Sequence, residues 1–340
     1  MIFYFCPSCK KFWQYPIEKC PDCFLSLEKL KSKEVKVIGS GKTIISSVFH
    51  QKVPYHVMVL EDEGGRRWVQ KSEKELKAGE FFNLEKAKDK EAVGIWRIKY
   101  DFFEAIEKLF EILNFSFKKD LKILILPTLI EGSHSYLRNN TSPQFLETLI
   151  KFLVENGINS EDIIVGVQSF DEVEIEKKFQ KSGISEIFQR QKIRNIDLAK
   201  GDFIKKGDLE ISEEVFKAGL ILNLPILKMG KACATENLFF LLKKENYLAQ
   251  KYLYSELEIF KKLKDQLPQV LTIAEAGRVQ DKRGISHYLG LALASFNPQN
   301  LDRVFFEIVR EKNLPEILKD IKIESIEIVG RKISEVEFYL

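Results

Sequence analysis

The sequence predicts an α/β protein with a small all-β domain in front of it. Three observations lead to this fold class. Four of the five cysteines fall in two Cys-x-x-Cys pairs within the first 23 residues. Short segments rich in β-branched and aromatic residues follow up to about residue 99, and beyond it strand and helix patterns alternate. Such alternation is typical of a mostly parallel sheet with helices on both faces.

The cysteine pairs predict a metal site at the start of the chain. Two Cys-x-x-Cys turns bring four thiolates to one ion, in the tetrahedral sphere that zinc accepts. Because four protein ligands leave no position for water or substrate, the ion stabilises the fold and does not catalyse. We therefore expect one structural zinc ion in a ribbon over residues 1–34. Its ligands are Cys6, Cys9, Cys20 and Cys23.

Two departures from the usual ribbon pattern leave alternatives open. Lys10 and Phe24 stand where glycine commonly follows the second cysteine, and the gap of ten residues between the pairs is short. A rubredoxin-type iron site and a pair of disulfides are the alternatives to zinc. Disulfides fit poorly, because the chain has no signal-peptide pattern and is long enough not to need them.

Composition is typical of a globular protein. The chain has 340 residues, of which 45% are hydrophobic and 30% charged. No apolar run approaches the length of a membrane span, so we expect a cytoplasmic protein with no membrane partner. The 53 basic and 50 acidic residues leave a net charge of +3, which makes no strong electrostatic case for nucleic acid.

Five short β-rich segments follow the ribbon and predict a small closed barrel over residues 35–99. The sequence Glu63-Gly64-Gly65 predicts a hairpin turn between the second and third segments. The predicted strands are Thr43–Phe49, Tyr55–Leu60, Arg66–Gln70, Glu80–Glu85 and Val93–Lys99.

Residues 1–99 resemble domain-of-unknown-function family 35, a rubredoxin-like zinc ribbon joined to an OB-fold and associated with acyl-CoA. The resemblance implies an OB barrel that docks a protein partner, a thiolase-like or other thioester-handling enzyme. Besides the four cysteines, the matching residues are Gly39, Gly41, Ser46, Pro54, Tyr55, Val57 and Gly64.

Some OB barrels bind single-stranded nucleic acid with aromatic and basic side chains, which is a weaker alternative. Trp68 and Trp96 would stack on bases, and Arg66, Arg67 and Arg97 would contact the backbone. The other interpretation places the tryptophans in the core and the arginines in solvent. The balanced net charge favours this second interpretation.

The large domain is predicted over residues 100–340 and opens with an amphipathic helix over residues 101–114, whose apolar residues recur at steps of three and four. Further helices are predicted at Pro143–Asn156, Glu172–Ser182, Glu236–Lys244, Ser255–Leu267 and Pro298–Glu311. Strands are predicted at Lys122–Leu126, Ile163–Val167, Ile193–Leu198, Leu220–Leu224, Leu271–Ala274, Leu289–Ser295 and Ile326–Val329.

Loops that follow strands carry the candidate ligand-binding residues, because ligands of such folds bind beyond the carboxyl ends of the strands. The loop over residues 127–140 holds His134 and Arg138, and the loop over residues 225–236 holds Lys228 and Cys233. We expect a small anionic ligand there. The candidate binding residues are Thr128, His134, Arg138, Lys228 and Asn237.

Most of residues 100–335 resembles domain-of-unknown-function family 362. The matching segments are Ile125–Thr128, Thr141–Leu149, Ala218–Lys228, Glu236–Leu238 and Leu293–Asp302. Leu126, Thr128 and Asn297 replace a Lys, an Asn and an Asp of the family pattern, and Met229 and Gly230 stand where Thr and His often occur. An iron–sulfur cluster, which many relatives carry, lacks ligands here because only Cys233 lies outside the ribbon.

The large domain also looks similar in fold to the nickel-pincer lactate racemases, which implies an anionic substrate held between two lobes. Racemisation needs two acid–base groups, and His134 and His287 are the histidines of this domain. A lone loop histidine is more often a surface or turn residue. Cys233 is interpreted as an ordinary small buried residue, since a nucleophile would need a lowered thiol pKa.

The hypothesis favoured by the sequence is a zinc-containing binding or scaffold protein that works beside an acyl-CoA or thioester-handling enzyme. It rests on the polar residues of the family 362 pattern that other residues replace in this chain. The alternative is an enzyme that acts on a small carboxylate or phosphate in the α/β domain. Single-stranded nucleic-acid binding by the barrel is the third and weakest hypothesis.

Overall fold

The protein is described from a computed structural model that divides into two compact units, Met1–Glu85 and Lys86–Leu340. They are called here the N-terminal unit and the large domain. The structure describes residues 2–46, 53–72, 75–99, 101–118, 120–129, 137, 139–168, 170 and 174–338. Within these ranges no helix has both the length and the apolarity needed to cross a membrane.

The N-terminal unit contains two small antiparallel sheets. The first has the order β2-β1-β3, with β1 at Ile2–Phe5, β2 at Phe12–Trp13 and β3 at Glu28–Lys31. The second has the order β4-β5-β6, with β4 at Val35–Thr43, β5 at Tyr55–Asp62 and β6 at Arg67–Ser72. The alternation of strand residues turns one apolar face inward. The buried core consists of Phe3, Val37, Met58, Leu60 and Trp68.

A buried carboxylate holds the hairpin between β5 and β6. Asp62 accepts hydrogen bonds from the backbone N–H groups of Gly64 and Arg66, at 3.0 and 2.9 Å. The hydroxyl of Ser32 donates to it at 2.6 Å, and the Arg66 side chain pairs with it. Gly65 adopts a φ of 71°, which glycine reaches without steric cost. The predicted turn therefore depends on Asp62 as well as on its glycines.

Part of the barrel prediction is wrong in detail. The first strand ends at Thr43 instead of beginning there, and residues 47–52 lie outside the described part of the chain. The segment Glu80–Glu85 contributes only an isolated bridge between Phe81 and Lys36. The last predicted strand, Val93–Lys99, is observed as Val93–Arg97 and pairs within the large sheet instead. The described part of residues 35–85 thus holds three strands and the bridge between Lys36 and Phe81, and closure into a barrel stays a prediction.

The described part of the large domain is built around a nine-stranded sheet and a two-stranded hairpin. Its strands are β7 (Val93–Arg97), β8 (Ile123–Pro127), β9 (Ile163–Val167), β10 (Arg194–Asp197), β11 (Phe203–Lys206), β12 (Leu209–Ser212), β13 (Leu220–Leu224), β14 (Ile226–Lys228), β15 (Gln269–Gln280), β16 (Ser286–Ser295) and β17 (Ile328–Gly330). Its helices are α1 (Phe102–Ile112), α2 (Pro143–Glu155), α3 (Ile175–Ser182), α4 (Ser185–Gln191), α5 (Glu213–Lys217), α6 (Cys233–Glu236), α7 (Lys244–Leu253), α8 (Glu256–Lys264), α9 (Pro298–Ile308) and α10 (Ile333–Val336).

The sheet is mostly parallel, as predicted, and the predicted fold class is confirmed. Its order is β10-β9-β8-β13-β15-β16-β7-β17, and β14 pairs separately with β15. The five strands from β10 to β15 run parallel to one another, while β16 is antiparallel to β15. Since β8 and β13 are parallel neighbours, their carboxyl ends lie at the same edge of the sheet. The loops after these two strands therefore meet, as ligand loops do in such folds.

Helix boundaries follow the capping residues that the sequence offers. Asp101 caps α1 by accepting from the Glu104 N–H, and Ser142 caps α2 ahead of Pro143. One helix prediction is wrong, because the segment Glu236–Lys244 is not a continuous α-helix. It consists of the end of α6, a 3₁₀ helix at Asn237–Leu241 and the start of α7. This break places side chains of the 3₁₀ helix in the cavity described below.

The tryptophans proposed as a nucleic-acid stacking surface are core residues. Trp68 is 6% exposed in the N-terminal unit, and Trp96 is 7% exposed on β7 of the large domain. The guanidinium of Arg66 lies over the rings of Phe3 and Phe12 and is paired with Asp62. Neither tryptophan offers a free ring face for stacking, so this part of the nucleic-acid hypothesis is wrong.

Candidate metal centre and ligand cavity

The four cysteines of the two pairs converge in the N-terminal unit. Their sulfur atoms all lie within 4.8 Å of one another. The Sγ atoms of Cys6 and Cys23 are 3.5 Å apart, and those of Cys9 and Cys20 are 3.9 Å apart. Zinc bound by four thiolates at about 2.3 Å separates the sulfurs by about 3.8 Å. The cluster therefore has the dimensions of a tetrahedral metal site.

The backbone of each turn supports thiolate ligands. The Cys9 N–H donates to Cys6 Sγ at 3.3 Å, and this hydrogen bond is the main reason that the pKa of Cys6 is lowered to about 7. The Lys10 N–H donates to the Cys6 carbonyl at 2.9 Å, and the Phe24 N–H donates to the Cys20 carbonyl at 2.8 Å. The two turns thus repeat one geometry. All five cysteines of the chain are free thiols, which argues against the disulfide alternative.

Lys10 and Phe24 explain how the turns form without glycine. They adopt φ angles of 60° and 59°, in the left-handed region that glycine normally supplies. The turns therefore have the usual backbone conformation. The left-handed conformation of each non-glycine residue costs on the order of 1 kcal/mol of stability, because its side chain is crowded there. Phe24 is 74% exposed, so its ring gains little from burial.

A cavity of about 240 Å³ lies in the large domain, at the carboxyl ends of β8 and β13. Three of the predicted ligand-binding residues line it together, namely Thr128, Lys228 and Asn237. The other two, His134 and Arg138, fall outside the described residues. The remaining lining residues are Phe170, Ile226, Lys231, Cys233, Glu236, Phe239, Phe240, Tyr247, Lys251 and Glu256.

Lys228 is held at the cavity by the two ligand loops. It ends β14, opposite Gln280 of β15. Its Nζ donates to Asn139 Oδ1 at 2.7 Å, and Gln280 Nε2 donates to the Leu137 carbonyl at 2.5 Å. The loop after β8 is thereby tied to the strand that carries Lys228. The lysine is half-buried.

Thr128 and Asn237 are joined in a buried hydrogen-bond network. The Thr128 hydroxyl donates to Asn237 Oδ1 at 2.8 Å and accepts from the Ile226 N–H at 3.2 Å. Asn237 Nδ2 donates to the Leu126 carbonyl at 3.1 Å and to Asn223 Oδ1 at 2.8 Å. Thr128 and Asn237 are 4% and 3% exposed. Their polar atoms are occupied by the protein, so they shape the cavity more than they bind its contents.

The network extends across the sheet to Asn223. Its Nδ2 donates to the Ala234 carbonyl at 2.8 Å and to Thr272 Oγ1 at 3.1 Å. On the other side, Thr141 Oγ1 accepts from the Thr128 N–H at 2.8 Å and donates to the Leu224 carbonyl at 2.7 Å. Residues from β8, β13, β15 and the segments after them are thus linked through satisfied buried polar groups.

A family model described as "Domain of unknown function (DUF362)" matches residues 123–307, more than half of the chain. The chain belongs to the DUF362 family. The resemblance of the large domain to this family is therefore confirmed. The segments that carried that resemblance contain Thr141, Asn223 and Asn237, so much of the DUF362 pattern in this chain forms the buried network.

Other comparisons add little to the family assignment. One match is a solved structure titled "Ltp2-ChsH2(DUF35) aldolase", with 18% sequence identity and a TM-score of 0.21. The match covers 26% of this chain and 74% of the chain in that structure. A likeness at that level carries no functional conclusion. No curated protein matches the chain.

Asp302, the last residue of the late DUF362 segment, anchors the short helix α6. It is fully buried and accepts from the N–H groups of Ala234 and Thr235, at 2.9 and 2.8 Å. The Thr235 hydroxyl donates to the same carboxyl group at 2.8 Å. Burial raises the pKa of Asp302 to about 7, although these hydrogen bonds act in the opposite direction. The sequence singled out the segment but did not predict this anchoring role.

Two further groups of the cavity have shifted acidities. Burial raises the pKa of the Cys233 thiol, and the carboxyl groups of Asp302 and Glu236 raise it further. The raised pKa supports the interpretation of Cys233 as unreactive, whereas its side chain is half-buried and lines the cavity. Burial also raises the pKa of Glu236, with repulsion from Glu256 adding to the shift. Glu236 is the titratable group that the sequence analysis missed, since nothing in its local sequence reveals its burial.

His287 does not line the cavity. It lies on β16, where its Nε2 is 3.3 Å from the carboxylate of Asp281. Asp281 also accepts from the Ile285 N–H and from the Arg283 side chain, so this group closes the turn between β15 and β16. The proposed acid–base pair of His134 and His287 therefore has no support in the described residues.

A larger cavity, of about 390 Å³, lies at the start of β15. Its lining includes Leu113, Phe115 and Val270, and the ion pair between Lys264 and Glu91 spans 3.2 Å beside it. This is the amino end of the parallel strands, whereas ligands of open α/β sheets bind at the carboxyl ends. The smaller cavity beside Lys228 is therefore the candidate ligand site.

Substitution of Asn237 by aspartate should destabilise the large domain by about 3 kcal/mol or more. The change places a buried carboxylate against the Leu126 carbonyl and Asn223 Oδ1, which are both acceptors. Guanidinium denaturation followed by circular dichroism measures the effect. The exposed Asn313→Asp is the matched control and should change stability by less than about 0.5 kcal/mol. Equal stability of the two variants would show that the network is dispensable.

Substitution of Phe24 by glycine should be neutral or stabilising by up to about 1 kcal/mol, because it relieves the left-handed backbone at little cost in burial. Phe24→Val should be less stable than wild type, since a β-branched residue tolerates this region poorly. Thermal unfolding of the zinc-saturated protein measures both. A clear loss of stability in Phe24→Gly would mean that the ring makes contacts of its own.

Proposed function

We propose that this DUF362 protein is a binding protein that holds a small anion in the large domain and docks a partner enzyme through a zinc-containing N-terminal unit. The observation that carries the proposal is the cavity at the carboxyl ends of β8 and β13, where Lys228 meets Thr128 and Asn237. Lys231 and Lys251 line the same cavity. Three lysines around so small a volume favour a carboxylate or phosphate ligand.

The charge balance of the lining supports an anion. Lys251 is paired with Glu256 at 2.8 Å, so these two charges offset each other. Glu236 ionises less readily than a free glutamate because it is buried. The lining thus holds three lysines, Lys228, Lys231 and Lys251, against two glutamates, Glu236 and Glu256. The cavity is therefore more positive than the nearly neutral chain as a whole.

The proposed role of the N-terminal unit rests on different support. Four thiolates at tetrahedral spacing suit a structural zinc ion, which fixes the turns that carry them. Phe12, Tyr15, Phe24 and Leu25 lie on or near these turns and are each more than 40% exposed. Exposed apolar side chains on a rigid support are typical of protein-docking surfaces. The resemblance to family 35 favours a thioester-handling enzyme as the partner, with the complex in the cytoplasm.

An enzyme that acts on the same anion is the second candidate function. Glu236 is the observation that favours it, because a half-buried carboxyl group with a raised pKa that lines a cavity with lysines is a candidate proton donor or acceptor. Binding is preferred because the other groups proposed for chemistry do not support catalysis. Cys233 has a raised thiol pKa, and His287 is engaged with Asp281 away from the cavity.

The anion proposal predicts that Lys228→Met weakens phosphate or acetate binding about ten-fold or more. The variant keeps the aliphatic stem and removes one charge-assisted hydrogen bond, which is worth about 1.5–3 kcal/mol. Isothermal titration calorimetry at low salt measures the dissociation constants. Lys205→Met, at an exposed position on β11, is the control and should bind as wild type does.

Two outcomes would contradict this proposal. If neither anion binds, or if Lys228→Met binds both as tightly as Lys205→Met does, the cavity is not an anion site. If the anion is recovered chemically changed after incubation, the site is catalytic and the second candidate function replaces the first.

The metal proposal predicts one zinc ion per chain in protein purified without added metal. Cys20→Ser should lose most of the zinc and lower the melting temperature, because metal binding and folding are coupled in such sites. Cys233→Ser removes the one cysteine outside the cluster and should retain the zinc. Mass spectrometry for metals measures the content. Iron in place of zinc would overturn the identity of the ion, and full zinc in Cys20→Ser would overturn the site.

A further inference from the structure

The cavity beside Lys228 has a second chemical character besides its lysines. Four aromatic rings from three separate segments line it. Phe170 follows β9, Phe239 and Phe240 belong to the 3₁₀ helix at Asn237–Leu241, and Tyr247 lies on α7. No sequence motif joins these residues, so the aromatic wall exists only in the folded chain.

The rings form one continuous group. The centroids of Phe170 and Phe240 are 4.8 Å apart, those of Phe170 and Tyr247 are 5.4 Å apart, and those of Phe239 and Tyr247 are 5.0 Å apart in a stacked arrangement. Phe239 and Tyr247 are buried, whereas Phe170 and Phe240 are half-buried. The two half-buried rings therefore supply the aromatic surface that a ligand would contact.

The cavity is larger than a small anion. At about 30 Å³ per water, 240 Å³ has room for about eight waters, and acetate or phosphate would fill less than half of it. The rest of the space would leave the apolar rings in contact with water. A carboxylate that carries one six-membered ring has about the right volume, and aromatic contact with the half-buried phenylalanines should tighten its binding about two- to ten-fold beyond the effect of buried area.

We infer that the cavity binds a small aromatic carboxylate, with the carboxylate at Lys228 and Lys231 and the flat ring against Phe170 and Phe240. This inference rests on the proposed function and names the class of its ligand. An organic cation would also suit aromatic rings. The lysines at the cavity repel a cation, and Lys251 already lies over the Tyr247 ring at 5.5 Å from its centroid.

The test compares three probes on the full chain by isothermal titration calorimetry: acetate, cyclohexanecarboxylate and benzoate. Benzoate should bind at least ten-fold more tightly than acetate. It should also bind at least about three-fold more tightly than cyclohexanecarboxylate, which has a similar size but no aromatic face. Phe240→Leu should weaken benzoate binding about three- to ten-fold and change acetate binding less than two-fold. Phe170→Leu should behave likewise and serves if Phe240→Leu does not fold.

Tyr252→Leu is the matched control, because Tyr252 is 91% exposed on α7 and does not line the cavity. It should bind all three probes as wild type does. Equal affinities for acetate and benzoate would overturn the inference and leave the anion proposal intact. Equal affinities for benzoate and cyclohexanecarboxylate would overturn the claim for an aromatic ring. If none of the probes binds, the inference and the proposed function fail together.

Discussion

The buried hydrogen bonds around Asn237 are the interaction on which the large domain depends. The side-chain amide of Asn237 connects the Leu126 carbonyl of β8, the Asn223 amide within β13 and the hydroxyl of Thr128. A buried polar group without a partner costs about 1–3 kcal/mol, so each member holds the others in place. The loops that leave the two strands are consequently constrained at their first residues. The cavity lies where these two strands end.

This constraint explains which polar residues are available for a ligand. Thr128 and Asn237 line the cavity, but they are hydrogen-bonded to each other. Asp302 is hydrogen-bonded to backbone N–H groups of α6. The lysines and the half-buried phenylalanines Phe170 and Phe240 supply the charged and aromatic parts of the lining. Thr128, which departs from the family 362 pattern, still donates to Asn237 and accepts from the Ile226 N–H. The replacement at position 128 therefore keeps the hydrogen bonds that shape the cavity. Ligand binding would depend on other side chains of the lining.

The N-terminal unit is stabilised by different means. Its described core is a cluster of five buried side chains, which is small for an independent unit. Four thiolates around one ion would supply the missing stability, as structural zinc does in small domains. The left-handed Lys10 and Phe24 fit this view, because a metal-fixed turn tolerates local backbone cost. Folding of this unit is thus expected to follow metal binding, whereas folding of the large domain follows burial of its sheet.

The sequence by itself determined the features that depend on local spacing: the four-thiolate cluster, the alternation of strands and helices, and the position of Lys228 just beyond a buried strand. It did not determine the partner of Val93–Arg97, the break after Glu236 or the aromatic wall. A Cys-x-x-Cys pair of metal ligands, or one face of a helix, is formed by residues a few positions apart in the sequence. A strand's neighbour or a cavity wall is defined by side chains from distant segments, such as Phe170, Phe240 and Tyr247. Only the packing of the whole chain brings those together.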